Sequence, residues 1–260
     1  MNDRDLGGAG VLVTRPVDQT GPLVQAIKEI GGAPCLFPGV QIVEVEKTEI
    51  LSVLTQLAAV DMLIFVSPTA VRVAMKSIAG TGNLPDGVQI AAVGPSTAAE
   101  LKNSGVDEVI APANGSGSDA LAACDELEEM AGRSVLVVRG EGGSEALASI
   151  LRQRGAQVSF LECYRRTLPD GRFADIEPLL RDGRIAAWTA TSGEILDNLF
   201  TTAGDQGDLL QTTPLFVNHP HVARRGFSSA VKTIFVASGG DVGLARGLEK
   251  WFCGRRPEID

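Results

Sequence analysis

Polar and small residues collect at six places in this chain where a short apolar run ends and a helical pattern begins. These places are Thr14-Arg15-Pro16, Ser67-Pro68-Thr69, Gly94-Pro95-Ser96-Thr97, Arg139–Gly143, Thr191–Glu194 and Asn218-His219. Helix N-termini at such positions present free backbone N–H groups, which bind anions without any change in net charge. A site made of hydroxyls, backbone N–H groups and two arginines suits a ligand that carries several carboxylates.

The same residues also have purely structural interpretations. Serine and threonine are common N-caps of helices, which applies to Ser67, Ser96, Thr97 and Ser192. Arg15 and Arg139 could instead form ion pairs with some of the 32 acidic residues. The glycines that could make only a tight turn are Gly140, Gly142 and Gly143.

Several kinds of chemistry lack the residues that they need. Glu145 stands where a dinucleotide fingerprint beginning at Gly140 would have its third glycine, and the usual ribose-binding acidic residue is missing. There is no phosphate-binding loop and no nucleophile elbow, and two histidines make a catalytic triad improbable. His219 and His221 lie two apart, but no cysteine or acidic cluster nearby completes a metal site. We therefore expect neither a metal nor a cofactor.

The composition limits the partners and the location of the protein. A net charge of −9 argues against nucleic-acid binding, which needs a basic face. No apolar run approaches the roughly 18 residues that span a membrane, and the first residues lack the pattern of a signal peptide. The four cysteines are far apart and form no CxxC pair, which predicts reduced, mostly buried thiols. We expect a cytoplasmic protein that contacts no membrane.

Apolar runs of four to six residues alternate with helical patterns along most of the chain. This alternation is typical of parallel sheets covered by helices on both faces. The predicted strands are Val11–Thr14, Met62–Val66, Ile90–Val93, Val109–Ile110, Val135–Val138, Ala186–Thr189, Leu215–Val217 and Ile234–Ala237. The predicted helices include Pro22–Ile30, Leu121–Met130 and Ala146–Arg154.

An internal repeat organises these elements. The segment Val11–Arg15 (VLVTR) returns 124 residues later as Val135–Arg139 (VLVVR), so that Arg15 and Arg139 are equivalent. Three further blocks recur in the same order at nearly the same offset, including Gly94-Pro95 against His219-Pro220. The pattern predicts a duplicated α/β unit.

Two segments with the alternation of exposed strands, Phe37–Val45 and Val158–Tyr164, could pair as a two-stranded connector. Residues 1–37 and 168–260 would then form one discontinuous α/β domain, and residues 40–164 an inserted second one. Plain tandem domains remain an alternative at this point.

Several segments of the chain resemble uroporphyrinogen-III synthases, and they occur in that family's order. They are Leu12–Pro16, Ala92–Ala98, Leu136–Gly143, Arg154–Ala156 followed by Glu162–Arg166, and Thr191–Glu194 with Leu196. The resemblance implies two flavodoxin-like domains with parallel sheets, joined by a two-stranded linker, with the substrate in the cleft between them. It also implies cyclisation of hydroxymethylbilane to uroporphyrinogen III, with loss of water and inversion of ring D, in heme and siroheme biosynthesis.

The resemblance further assigns roles to residues. Tyr164 aligns with the family's recurrent tyrosine and is expected to donate a hydrogen bond to the departing hydroxyl; packing at the linker is its structural alternative. Thr97 matches a threonine of the family's cleft. From their places at strand ends and helix starts, the expected substrate-binding residues are Thr14, Arg15, Ser67, Gly94, Ser96, Thr97, Arg139, Gly140, Gly142, Ser192 and Gly193. Transient contact with hydroxymethylbilane synthase is a further expectation.

One segment departs from the family, because Asn218–Ala223 stands where many members have small hydroxylated residues. We therefore favour Ser96 and Thr97 over this second copy as a carboxylate anchor. The alternative function is a two-domain ligand-binding or sensory module of the periplasmic type, whose cleft would also lie between duplicated α/β domains.

Overall fold

A computed structural model of the chain describes residues 6–54, 59–80, 84 and 87–254. The chain divides into two compact units. One unit combines the chain up to Gln41 with the chain from Thr167 onward, and the other is formed by Ile42–Arg166. Each unit is built on its own five-stranded sheet.

The strands of the described residues are mostly short, and the longest is Gln157–Thr167. In chain order they are β1 (Gly10–Val13), β2 (Ala33–Leu36), β3 (Gln41–Glu44), β4 (Met62–Phe65), β5 (Gln89–Ala92), β6 (Ser134–Gly140), β7 (Gln157–Thr167), β8 (Ile185–Ala190), β9 (Leu215–Val217) and β10 (Ile234–Val236). The helices are α1 (Gly21–Glu29), α2 (Lys47–Leu54), α3 (Pro68–Ala79), α4 (Pro95–Asn103), α5 (Ser118–Ala122), α6 (Ala146–Gln153), α7 (Glu177–Arg181), α8 (Gly193–Ala203), α9 (Gly207–Thr212), α10 (Pro220–Ser228) and α11 (Gly240–Phe252).

The two sheets share one arrangement of strands, to which the second sheet adds β3 at the edge beside β7. The first has the order β10-β9-β8-β1-β2 and the second the order β3-β7-β6-β4-β5. The pairs that link β1 with β2 and β8, β9 with β8 and β10, and β4 with β5 and β6 are all parallel, as is β6 with β7. Ile110, which forms an isolated parallel bridge with Ala91, takes the place that β10 has in the first sheet. The predicted repeat is therefore confirmed in the order of the strands.

Burial on both faces explains why the strand segments are continuously apolar. In β4, Leu63 and Phe65 pack into one core cluster, whereas Met62 and Ile64 pack into the cluster on the opposite face. All four side chains are fully buried. Successive side chains of a strand point to opposite faces, so a central parallel strand needs apolar residues at every position. Each such side chain contributes roughly 1.5–3 kcal/mol of burial energy.

Three local predictions differ from the structure. The predicted helix Leu121–Met130 is wrong, because α5 ends at Ala122 and only a 3₁₀ turn, Asp125–Leu127, follows. Leu127 and Met130 are fully buried although neither lies in an α-helix, and Cys124 is extended at φ −75° and ψ 141°. The predicted strand Val109–Ile110 is reduced to the single bridge of Ile110.

The third difference concerns Phe37–Val45, which is not one exposed strand. Phe37 and Val40 are buried in the turn between β2 and β3, at 5% and 3% exposure. The second predicted connector falls within the long strand β7, beside which β3 lies in the second sheet. The backbone N–H of Val45 donates to the carbonyl of Cys163 at 3.0 Å.

Candidate active site

A cavity of about 260 Å³ opens at the carboxyl edge of the second sheet, where β4, β5 and β6 end. Five residues singled out from the sequence line it: Ser67, Arg139, Gly140, Gly143 and Tyr164. The carboxyl edge of a parallel sheet is the usual place for ligands, because the following helices begin there. The site lies wholly within the unit formed by Ile42–Arg166.

Two hydroxyls meet at this cavity. Tyr164 Oη lies 3.1 Å from Ser67 Oγ, and the tyrosine as a whole is only 2% exposed. Ser67 also caps α3, since its Oγ accepts a hydrogen bond from the N–H of Ala70 at 3.1 Å. Arg166 donates from Nη2 to Tyr164 Oη at 3.4 Å, and its guanidinium carbon lies 5.7 Å from the centroid of the tyrosine ring. The result is a short chain of polar groups that begins at a cation and ends at a helix N-terminus.

Gly140 leaves the space that the phenol ring occupies. A Cβ atom at this position would lie 2.7 Å from both Cε2 and Cζ of Tyr164 and 3.1 Å from its Oη. The two residues are paired in the β6–β7 register, which is shifted between Arg139 and Gly140. The N–H of Glu141 donates to the carbonyl of Tyr164 at 2.8 Å and holds this arrangement. Glycine at position 140 therefore determines where the tyrosine hydroxyl can lie.

Arg139 is engaged with the protein itself. Its side chain donates to Glu162 Oε1 from Nη2 at 2.9 Å and from Nε at 3.2 Å, and to the carbonyl of Gly143 from Nη1 at 2.9 Å. The guanidinium carbon lies 3.7 Å from the centroid of the Phe160 ring. At 7% exposure, Arg139 joins β6 to β7 and fixes the turn that follows β6. The ion-pair interpretation of this residue thus has a partner in the structure, Glu162.

The other predicted residues of this unit lie at the neighbouring turns. Gly94 is the N-cap of α4, and a Cβ atom there would lie 2.8 Å from that of Ser116. In the first turn of α4, Ser96 is exposed and Thr97 is buried at 2% exposure. Gly142 is exposed in the turn after β6 with φ +66°, a backbone conformation that glycine adopts without strain.

Thr14 and Arg15 lie in the other unit, at the carboxyl end of β1. The hydroxyl of Thr14 is fully buried and donates to the carbonyl of Thr189 at 2.5 Å, which ties the end of β1 to β8. Arg15 forms an ion pair with Asp241 at the start of α11, with 2.7 Å between Nη1 and Oδ1. The two side chains are 14% and 21% exposed. In the structure, Arg15 thus has a protein partner, as Arg139 does.

Ser192 and Gly193 begin α8 in the same unit. Ser192 Oγ accepts from the N–H of Ile195 at 3.2 Å, so this serine acts as an N-cap. At the start of α10 the cap is an imidazole, because His219 Nδ1 accepts from the N–H of His221 at 3.1 Å. The described residues contain no group of three or more His, Cys, Asp or Glu side chains that could hold a metal ion.

Comparison with known proteins identifies the family. A model of the uroporphyrinogen-III synthase HemD family matches residues 21–242. The uroporphyrinogen-III synthase of Salmonella typhimurium is 31% identical over 193 residues, which cover 74% of this chain and 78% of that protein. The chain belongs to the uroporphyrinogen-III synthase family. The enzyme of that name from Escherichia coli is 30% identical over 198 residues, with the same two coverages.

A solved structure shows the fold of this family. The chain matches a mutant uroporphyrinogen III synthase from the extremely thermophilic bacterium Thermus thermophilus with a TM-score of 0.61 at 19% identity, over 93% of this chain and 98% of that one. The α/β fold class and the family resemblance predicted from the sequence are both confirmed. The chain belongs among enzymes, and the alternative of a ligand-binding or sensory module is not favoured.

Some residues of the cavity were not singled out from the sequence. Gly117 and Ser118 line it as the N-cap and the first residue of α5, and Arg166 lines it from the end of β7. The segment Asn114–Asp119 (NGSGSD) follows the predicted strand at Ile110 and is rich in glycine and serine, like the other turns that follow strands. This composition could have indicated Gly117 and Ser118. Arg166 lies in the segment Glu162–Arg166 that resembles the family, but its contact with Tyr164 depends on the path of β7 and could not be predicted from the sequence.

The cysteines are free thiols, but only Cys163 is buried. The expectation of mostly buried thiols is therefore wrong for Cys35, Cys124 and Cys253, which are partly exposed. Burial raises the pKa of the Cys163 thiol to about 12. None of the helices in the described ranges is long and apolar enough to cross a membrane.

Proposed function

We propose that this chain converts hydroxymethylbilane to uroporphyrinogen III, with loss of water and inversion of ring D. Membership of the uroporphyrinogen-III synthase family supports this reaction. The observation that carries the assignment of the site is the hydroxyl pair of Tyr164 and Ser67, 3.1 Å apart at the edge of a cavity. Neutral hydroxyl donors suit a reaction that needs positioning and charge stabilisation rather than a strong base.

The reaction begins when the C–O bond of the hydroxymethyl group on ring A breaks. The departing oxygen takes up a proton and leaves as water, and the remaining cation is delocalised over the pyrrole. Ring D then attacks through its substituted carbon to give a spiro intermediate, in which that carbon holds the bridges from both ring A and ring C. The bond to the ring C bridge breaks, and the released bridge carbon bonds to the free α-carbon of ring D, which loses a proton to restore the aromatic pyrrole. Tyr164 is the proposed donor to the departing oxygen, where negative charge develops.

The eight carboxylates of this substrate require many weak contacts rather than one strong one. In the cavity unit we assign them to backbone N–H groups at the starts of α3 and α4, near Ser96 and Thr97, and to the glycine turn at Gly142. In the other unit the proposed contacts are Arg15 and the start of α8 at Ser192-Gly193. The hydroxyl of Thr14 is buried and already donates to Thr189, so its proposed role is to position Arg15.

Product analysis tests the proposed reaction. Purified protein incubated with hydroxymethylbilane, in the presence of EDTA and without nucleotide, is expected to give mainly the type III isomer, which is measured by chromatography after oxidation to the porphyrin. Heat-denatured protein serves as the control and should give the type I isomer that forms spontaneously. If saturating amounts of folded protein leave the product at type I, the proposed function is wrong.

We further propose a cytoplasmic location and a transient contact with hydroxymethylbilane synthase. Free thiols at all four cysteines are typical of a reducing compartment. The spontaneous closure of hydroxymethylbilane favours a short path between the protein that makes it and the one that uses it. Sedimentation of the two proteins together, with and without substrate, would detect the contact; unchanged sedimentation at high concentration would count against it.

A further inference from the structure

The hydrogen-bond donors and acceptors of the hydroxyl pair, Ser67 Oγ and Tyr164 Oη, can be counted. A serine hydroxyl has one proton and two lone pairs, and a phenol also carries one proton and accepts hydrogen bonds. Two N–H groups already donate into the pair: that of Ala70 into Ser67 Oγ at 3.1 Å, and that of Arg166 into Tyr164 Oη at 3.4 Å. The link between the two oxygens, at 3.1 Å, uses one of the two hydroxyl protons.

One proton is therefore left over, and either oxygen can carry it. If Tyr164 donates to Ser67, the serine oxygen accepts twice and its own proton points away from both partners. If Ser67 donates to Tyr164, the phenol oxygen accepts from the serine and from Arg166, and the phenol proton is free. Both residues line the same cavity, so in both arrangements the spare proton is available to a ligand there.

We propose that Ser67 and Tyr164 act as one donor unit, in which either hydroxyl can present the single spare proton to the departing oxygen of the substrate. Arg166 is the positioning residue, because its N–H occupies an acceptor site of the phenol and so limits where the phenol proton can point. The N-terminus of α3, a helix of 12 residues, adds a partial positive charge beside Ser67. This assignment rests on the proposed function and adds to it a second catalytic hydroxyl.

The shared donor predicts how much kcat falls when one or both of the hydroxyls are removed. Loss of the phenol hydroxyl in Tyr164→Phe leaves the Ser67 proton free to donate. Loss of the serine hydroxyl in Ser67→Gly leaves the Tyr164 proton free. Only the double variant lacks a donor, and removal of a single essential donor of this kind costs roughly 10²- to 10³-fold in kcat. Glycine is the chosen substitution at position 67 because it keeps most of the stability of the N-cap.

Steady-state kinetics of the wild type, the two single variants and the double variant test the proposal. We expect each single variant to lose less than about tenfold in kcat, and the double variant to lose at least about 10²-fold, more than the product of the two single effects. Effects that simply multiply would show two independent donors and overturn the proposal. It is also overturned if either single variant is as slow as the double one, or if the double variant keeps wild-type kcat.

A spectroscopic measurement examines the hydrogen bonds without turnover. Tyr164 is the only tyrosine of the chain, so protein labelled with ¹³C at the tyrosine Cζ gives one resonance. We expect Ser67→Gly and Arg166→Met each to move this resonance, Arg166→Lys to restore most of the Arg166 effect, and Gly21→Ala, an exposed change in the other unit, to leave it in place. A resonance that stays fixed in both Ser67→Gly and Arg166→Met would overturn the hydrogen-bonded chain.

The proposed function and the shared donor can each be refuted without the other. Wild-type protein that gives no type III product refutes the proposed function, whatever the resonance shows. Wild-type protein that gives type III product, together with multiplicative kinetics, refutes only the shared donor.

Discussion

The contact between Gly140 and Tyr164 gives the sharpest prediction of how structure limits activity in this protein. A methyl group at position 140 would lie 2.7 Å from two ring carbons of Tyr164. Carbon atoms in favourable contact are about 3.5–4.0 Å apart, so the ring or the strand must move by roughly 0.8 Å. Tyr164 is 2% exposed and belongs to the core cluster on one face of the second sheet, so the ring has little free space to move into.

We expect Gly140→Ala to lower both stability and activity. Overpacking of a well-packed core costs about 1–3 kcal/mol. A displacement near 1 Å at a reacting group can cost up to about 10²-fold in rate, but Ser67 can still donate when the phenol is displaced, so we expect kcat to fall by less than about tenfold, as for Tyr164→Phe. KM should change less, because the turns that are proposed to bind the carboxylates keep their positions.

The measurements are the thermal unfolding midpoint by circular dichroism and steady-state turnover of hydroxymethylbilane. Gly21→Ala is the matched control, since a Cβ atom at that exposed position meets no atom within 4 Å. In a Tyr164→Ala background the stability cost of Gly140→Ala should largely disappear, because the atoms that it would contact are gone. A Gly140→Ala protein with wild-type stability and kcat, or a cost that persists without the ring, would refute this reasoning.

Two further predictions concern Cys163 and Arg139. Because burial raises the pKa of Cys163 from its ordinary value of 9.0 to about 12, the unfolded chain ionises first, and the thiol's contribution to stability is lost as pH rises from about 9 to 12. The urea midpoint of unfolding, measured over this pH range, should fall more steeply with pH for the wild type than for Cys163→Ala. Equal slopes in the two proteins would contradict a raised pKa of Cys163. For Arg139→Lys we expect a loss of about 2 kcal/mol from its contacts with Glu162 and the Gly143 carbonyl, with faster hydrogen exchange in residues 141–145. If Arg139→Lys keeps the wild-type unfolding midpoint but has a raised KM, Arg139 binds the substrate instead.

Much of the fold can be predicted from local patterns in the sequence. Met62–Phe65 and Val135–Val138 are apolar at every position because both faces of their strands are covered, and such runs are visible without a structure. The repeat of Val11–Arg15 as Val135–Arg139 then predicts the equivalence of β1 and β6, which the two sheet orders confirm. Local pattern fails where side chains are buried without a long regular element, as at Leu127 and Met130, which lie in a 3₁₀ turn and in irregular backbone.

The residue types of the candidate site were also predictable, because hydroxyls and glycines at strand ends follow from the needs of turns and helix caps. Their contacts were not. Ser67 and Tyr164 are 97 residues apart in the chain, and Arg139 and Glu162 are 23 apart. They meet only because β7 lies beside β6 and β6 beside β4, with a register shift after Arg139 that places Tyr164 opposite Gly140. A hydrogen bond depends on distances of a few tenths of an ångström, and the pairing of strands, not the identity of neighbouring residues, sets those distances.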